Sequence, residues 1–92
     1  MIRLRGQLRC MTEEEAATVR QFRPDHERLT RAEPGCLSFH ISDTDHPLTF
    51  EVMETFRDRA AFDAHQTRTR ASAWWDQTRH ILRDFLVEEV AD

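Results

Sequence analysis

The chain opens with a strict alternation. Ile2, Leu4, Gly6, Leu8 and Cys10 fall on one side of an extended segment, and Arg3, Arg5, Gln7, Arg9 and Met11 on the other. A period of two with one apolar side predicts a strand with one buried face. Gly6 leaves a gap in the apolar row, which suggests that something approaches the backbone closely there. The period then changes. Val19, Phe22, His26 and Leu29 recur at spacings of three and four, which is one stripe of an amphipathic helix. Thr12 with Glu15 three residues later forms a capping box, and Glu13, Glu14 and Glu15 suit the positive end of the helix dipole. The pattern predicts a helix from about Glu13 to Arg31. Pro24 lies well inside it and predicts a bend or a split near Phe22–Arg23.

Glu33-Pro34-Gly35 ends this helix, because proline cannot continue it and glycine accepts the turn. Alternation returns at Cys36. Leu37, Phe39 and Ile41 point one way, and Ser38, His40 and Ser42 the other. After the polar connection Asp43–Pro47, Phe50 and Val52 oppose Thr49, Glu51 and Met53. Two such runs joined by a short loop predict an antiparallel hairpin. A second helix should open near Arg57–Arg59, capped by Asp58 or Thr55, and carry Phe62 and His65. Thr67–Thr69 lack an apolar stripe and predict a break. Ala71, Trp74, Trp75, Thr78 and Leu82 then resume helical spacing, and Phe85–Val90 closes the chain as a strand. The order is strand, helix, strand, strand, helix, strand. It predicts an α+β fold of the ferredoxin-like βαββαβ kind, a four-stranded antiparallel sheet with helices on one face. Several strands carry apolar residues on both sides, which predicts burial of the second face against another copy.

Composition narrows the function classes. Ninety-two residues form one small domain, 1–92, and a chain of this size buries only ~60–65% of its unfolded surface, which favours a homodimer. A net charge of −4 speaks against a nucleic-acid partner. Every basic residue is Arg, and the absence of Tyr removes phenol chemistry from the side chains. Cys10 and Cys36 are too few for a disulfide framework and read as free thiols of a cytoplasmic protein. The first residues lack the apolar run of a signal peptide, and nothing reaches the ~20 apolar residues of a membrane span. The histidines at 26, 40, 46, 65 and 80 show no close ligand pair, so no metal is expected. Two glycines leave no phosphate-binding loop.

Three pieces in order carry a resemblance. They are Glu33-Pro34-Gly35-Cys36-Leu37, the run Phe50-Glu51-Val52-Met53-Glu54-Thr55-Phe56, and Asp58-Arg59-Ala60-Ala61-Phe62-Asp63-Ala64-His65. Together the chain resembles the antibiotic biosynthesis monooxygenase (ABM) domain family, including the quinol monooxygenase-like proteins. The resemblance implies a dimeric α+β barrel, with a pocket in each subunit between sheet and helices. It implies oxidation of a quinol or a polycyclic phenol by molecular oxygen without flavin, metal or other cofactor. Relatives with other roles imply two alternatives, a non-catalytic small-molecule-binding or stress-response dimer, and an isomerase or decarboxylase acting on a small metabolite. The family's haem-degrading branch uses an Asn on the first strand, a Trp on the second helix and a later His. Here those places hold Gln7, His65 and the neighbourhood of Trp75, so the resemblance does not extend to haem.

His65 matches the family's helix histidine and is the candidate catalytic base. An imidazole titrates near neutrality and can remove the proton of a small aromatic substrate. Trp74 and Trp75 are candidates to line an aromatic-binding pocket. His40 and Phe39, neighbours on the second strand, and His26, on the first helix stripe, complete the candidate substrate-binding set. His46 and His80 read as surface groups.

Overall fold

The computed structural model describes residues 1–91. Seven elements follow one another: β1 (Ile2–Arg9), α1 (Glu13–Arg31), β2 (Cys36–Asp43), β3 (Thr49–Phe56), α2 (Arg59–Arg70), α3 (Ala73–Thr78) and β4 (Leu82–Glu89). The strands form one four-stranded antiparallel sheet in the order β2-β3-β1-β4. This is the ferredoxin-like α+β arrangement that the alternating and helical periods predict.

Register decides which side chains meet. Leu8 stands opposite Phe50, Leu4 opposite Glu54 and Ile2 opposite Phe56, while on the other edge Gly6 faces Phe85. The helices cover this side, and Leu4, Leu8, Phe39, Phe50, Val52 and Phe56 are buried there. Each such side chain contributes about 1.5–3 kcal/mol by leaving water. The opposite side carries Arg3, Arg5, Arg9, Asp84 and Glu88, joined as the pairs Arg3–Glu88, Arg5–Glu88 and Arg9–Asp84. Met53, Leu82 and Leu86 are exposed on that side.

Gly6 has a direct role. A Cβ at this position would lie 2.0 Å from the carbonyl oxygen of Asp84, so only glycine lets β4 approach β1 this closely. Gly35 plays a similar part at the start of β2, where a Cβ would lie 2.2 Å from the Cβ of Ala61.

Several boundaries differ from the sequence pattern. The first helix runs unbroken through Pro24. Pro24 and Arg20 are both exposed, so the carbonyl that loses its partner opens to solvent. The buried stripe of α1 is Ala16, Val19, His26 and Thr30, with Leu29 largely exposed. Four residues beyond His26 lies Thr30, not Leu29, and the 3.6-residue turn follows that row. The second helix continues through Thr67–Thr69, because Thr69 is buried beside His65. The break falls at Ala71–Ser72, where Ser72 accepts a hydrogen bond from the backbone N–H of Trp75 and caps α3. β4 begins three residues earlier than its apolar run, held by ladder pairing of Leu82–Asp84 with Gln7–Arg9. A register shift between Cys36 and Ser38 takes Leu37 out of the apolar row and leaves it 60% exposed.

The caps follow the expected chemistry. Thr12 accepts from the Glu15 N–H, and the Glu15 carboxylate accepts from the Met11 N–H. Asp58, rather than Thr55, caps α2 by accepting from the Ala61 N–H.

Candidate functional site

Between the covered side of the sheet and the helices lies a cavity of about 210 Å³. Its floor is Leu4, Leu8, Ile41, Val52 and Phe85, supplied by every strand. Its walls are His26 from α1, Phe39 from β2, His65 and Thr69 from α2, and Trp74 and Trp75 from α3. Gln66, Arg70 and Trp75 keep contact with solvent and form its mouth.

The aromatic groups pack in a fixed order. The His26 ring stacks on Trp74 with centroids 4.8 Å apart and planes 6° apart. Phe39 meets His26 edge-on at 5.2 Å. His65 stacks on Phe56 at 4.8 Å. The Arg83 guanidinium lies 5.1 Å from the Trp75 ring centroid and donates to the Thr78 and Ile81 carbonyls. These contacts leave few rotamers open, so the cavity wall is preorganised.

His65 is 2% exposed and is held from behind. Its Nδ1 lies 2.9 and 3.1 Å from the two carboxylate oxygens of Glu33. Glu33 in turn accepts from Arg68 Nε at 2.8 Å, and Arg68 donates to Thr30 Oγ1 at 2.9 Å. A carboxylate only accepts, so the proton of neutral His65 sits on Nδ1 and leaves Nε2 bare. Nε2 lies 3.4 Å from Thr69 Oγ1 and 3.6 Å from Glu54 Oε1. Burial pulls the imidazole below its ordinary range, and the Glu33 carboxylate works against that fall. His65 is therefore a neutral base with a carboxylate ready to stabilise its protonated form.

Two further polar groups share the cavity. Glu54 is 6% exposed, and burial, with the nearby Glu33 charge, pushes its carboxyl up to about 8. It is a neutral acid at neutral pH. His26 is 4% exposed, and burial, with the His65 and arginine charges, pushes it down to about 3, so it is neutral as well. Glu54 Oε1 and His26 Nδ1 are buried without a hydrogen-bond partner among the described residues.

The structure brings His65, His26, Phe39, Trp74 and Trp75 to this one cavity. It does not bring His40 there. The period-two alternation places His40 on the opposite side of the sheet from Phe39, where it is exposed and its Nδ1 lies 3.4 Å from the Arg31 guanidinium. His46 bonds within its own loop, and exposed His80 pairs with Glu15. Sequence reasoning missed Glu33 and Glu54. Both lie inside the quoted motifs, and one signal was available for Glu54: it falls in register with Phe50 and Val52 on the apolar side of β3. Among the described residues no cluster of three or more His, Cys, Asp or Glu is arranged to hold a metal ion, and no helix is long and apolar enough to cross a membrane.

Fold and site together define a small ferredoxin-like α+β protein with a buried, aromatic-walled acid–base cavity. The profile of the antibiotic biosynthesis monooxygenase (ABM) family matches residues 1–77, and the chain belongs to that family. Solved structures agree in fold. A candidate antibiotic biosynthesis monooxygenase from Deinococcus radiodurans is 24% identical with a TM-score of 0.84, covering 100% of this chain and 94% of that one. A second candidate monooxygenase, from Nitrosomonas europaea, is 22% identical with a TM-score of 0.75, covering 98% of each chain. A Mycobacterium tuberculosis protein, Rv0793, is 19% identical with a TM-score of 0.76, covering 99% of this chain and 95% of that one. At these identities the likeness is one of fold. A comparison with curated proteins finds no match.

Proposed function

We propose that the chain is a cofactor-independent monooxygenase that oxidises a small phenol or quinol with molecular oxygen. The observation that carries this reading is the Glu33–His65 pair, with His65 in the wall of an aromatic-lined cavity. His65 removes a hydroxyl proton from the bound substrate. The resulting electron-rich anion passes an electron to O2, and the two radicals join at a ring carbon. One oxygen atom stays on the ring and the other leaves as water, so a hydroquinone and O2 give a hydroxyquinone and H2O. Trp74, Trp75 and Phe39 hold the planar ring.

Cavity size narrows the substrate. A dry protein cavity of roughly 150 Å³ holds benzene. A volume of about 210 Å³ therefore suits a single substituted ring or a compact two-ring quinol better than a larger polycyclic phenol. Oxygen uptake with a panel of hydroquinones, comparing the wild type with His65→Ala, tests the reading. Turnover that falls by about 10²–10⁴ in the variant is expected. Equal uptake by both proteins removes His65 from the mechanism.

The proximity of a neutral acid, Glu54, to a neutral base, His65, supports a second reading. The same pair would move a proton between carbon and oxygen in an isomerase or decarboxylase. Product formation that is unchanged when oxygen is withheld would favour this second reaction.

A homodimer is part of the proposal. The open side of the sheet exposes Met53, Leu82 and Leu86 among its paired charges, and a second copy would cover them. Sedimentation at several protein concentrations tests this, and a monomer throughout would refute it.

A further inference from the structure

We propose that Glu54 is a second catalytic group of this cavity: its neutral carboxyl donates a hydrogen bond to the substrate oxygen from which His65 takes the proton, and so holds the phenolate as it forms. The inference rests on the acid–base reading of the cavity given above. In the step, the substrate O–H bond breaks, its electron pair stays on oxygen, and the proton moves to His65 Nε2. The Glu54 proton stays on Glu54 and bridges to the new anion.

Geometry carries the assignment. The alternation of β3 sets Glu54 in the row Phe50, Val52, Glu54 and Phe56, opposite Leu4 on β1 and Phe39 on β2. A carboxyl in an apolar row costs stability unless something uses it. Glu54 lines the cavity, and its Oε1 is buried without a hydrogen-bond partner among the described residues. His65 Nε2 stands 3.6 Å away, too far for the two groups to satisfy each other. One ligand oxygen set beside the pair, about 3 Å from each atom, reaches both, donating its hydrogen to Nε2 and accepting from the carboxyl.

Charge agrees with geometry. The titratable and charged groups on the surrounding elements are Glu33, His65 and Arg68, then His26 on α1, Cys36 on β2, Arg70 on α2 and Arg83 on β4. Arg68 is engaged by Glu33 and Thr30, and Arg83 by Thr78 and Ile81. Arg70 is exposed at the mouth, His26 is neutral, and burial raises the Cys36 thiol. An ionised Glu54 would thus face the Glu33 charge, and burial with that charge holds its carboxyl near 8. A carboxylic acid kept neutral in an apolar site is an effective oxyanion donor.

The test uses 4-nitrophenol, whose phenolate absorbs visible light, titrated into the intact protein across the neutral and alkaline range. Wild type is expected to bind the phenolate at neutral pH. Binding the phenolate form leaves a proton on His65, so its affinity falls as pH rises; in the wild type the fall is expected to steepen above about 8, by up to about a further tenfold per pH unit, as Glu54 ionises. Glu54→Gln keeps a donor that cannot ionise, so only the fall set by His65 remains and no steepening appears above about 8. A wild-type fall that does not steepen above about 8, a variant that still steepens there, or the absence of bound phenolate overturns the proposal. The wild-type titration stands by itself if the variant misfolds. Oxygen uptake separates the two layers, because phenolate binding with the predicted pH dependence and no uptake of oxygen would refute the monooxygenase reading while sustaining the role of Glu54.

Discussion

Replacing Glu33 with Gln should disable His65 without moving it. In the native protein both carboxylate oxygens lie within 3.1 Å of Nδ1, and Arg68 Nε lies 2.8 Å from one of them. The glutamine amide has the same shape, but it can donate to Nδ1. His65 is then free to adopt the tautomer that presents Nε2–H to the cavity, where it can no longer accept a proton. The variant also lacks the charge that stabilises the protonated ring. A loss of about 10²-fold in turnover is expected, below the ~10⁴ measured for the corresponding change in a serine protease triad, because Arg68 already neutralises part of the Glu33 charge. Bonds to charged groups contribute about 1.5–3 kcal/mol, and the amide retains a part, so stability should fall by about 1–2 kcal/mol. For a domain of this length that lowers Tm by roughly 5–10 °C. Imidazole ¹⁵N shifts read the tautomer directly. Wild type should show a protonated Nδ1 and a bare Nε2, and the His65 titration should move to lower pH in the variant, since the carboxylate opposes the fall caused by burial. A wild-type ring protonated on Nε2, or an unchanged titration in Glu33→Gln, would refute the reasoning.

Three further outcomes follow from the same geometry. His26 is pushed from 6.5 to about 3 and Glu54 from 4.5 to about 8, with opposite consequences. Below 6.5 the unfolded chain binds the extra proton, at His26 and His65, so stability rises with pH there. Above 6.5 the folded protein binds it at Glu54, so stability falls by about 2 kcal/mol up to pH 8. Urea unfolding across this range should therefore show a maximum near 6.5, and Glu54→Gln should remove the alkaline decline. Gly6→Ala sets a Cβ 2.0 Å from the Asp84 carbonyl oxygen and should cost about 1–3 kcal/mol in denaturant unfolding, because backbone must move to admit it. Trp74→Ala removes the ring stacked on His26 and should cost about 3–5 kcal/mol, with weaker binding of hydroquinones by calorimetry.

Much of the fold can be read directly from the chain. The two periodicities, Thr12 and Asp58 as caps, and the Glu33-Pro34-Gly35 turn locate the main elements, and their order leaves few ways to assemble a sheet. Gly6 was legible as a place of close approach, though not what approaches it. The boundaries that moved did so for tertiary reasons. Thr69 stays helical because it is buried beside His65, and Leu82–Asp84 become strand because β1 offers them a ladder. His40 and Phe39 are neighbours in sequence, but alternation sends them to opposite sides of the sheet. Only the side that the helices cover can form the cavity.

Local pattern is enough for the ferredoxin-like order and for the place of His65 on an amphipathic helix, because period and capping are properties of neighbouring residues. It could not determine what stands behind or in front of that histidine. Glu33 lies 32 positions away along the chain and reaches Nδ1 only when α2 packs beside the turn into β2. Alternation already sets Glu54 on the apolar side of its strand, but only the packed structure leaves it without a partner and 3.6 Å from Nε2. Burial then neutralises it, turning an ordinary carboxylate into an acid beside a base. The tertiary structure alone decided that chemistry, because desolvation and distance exist only once distant segments meet.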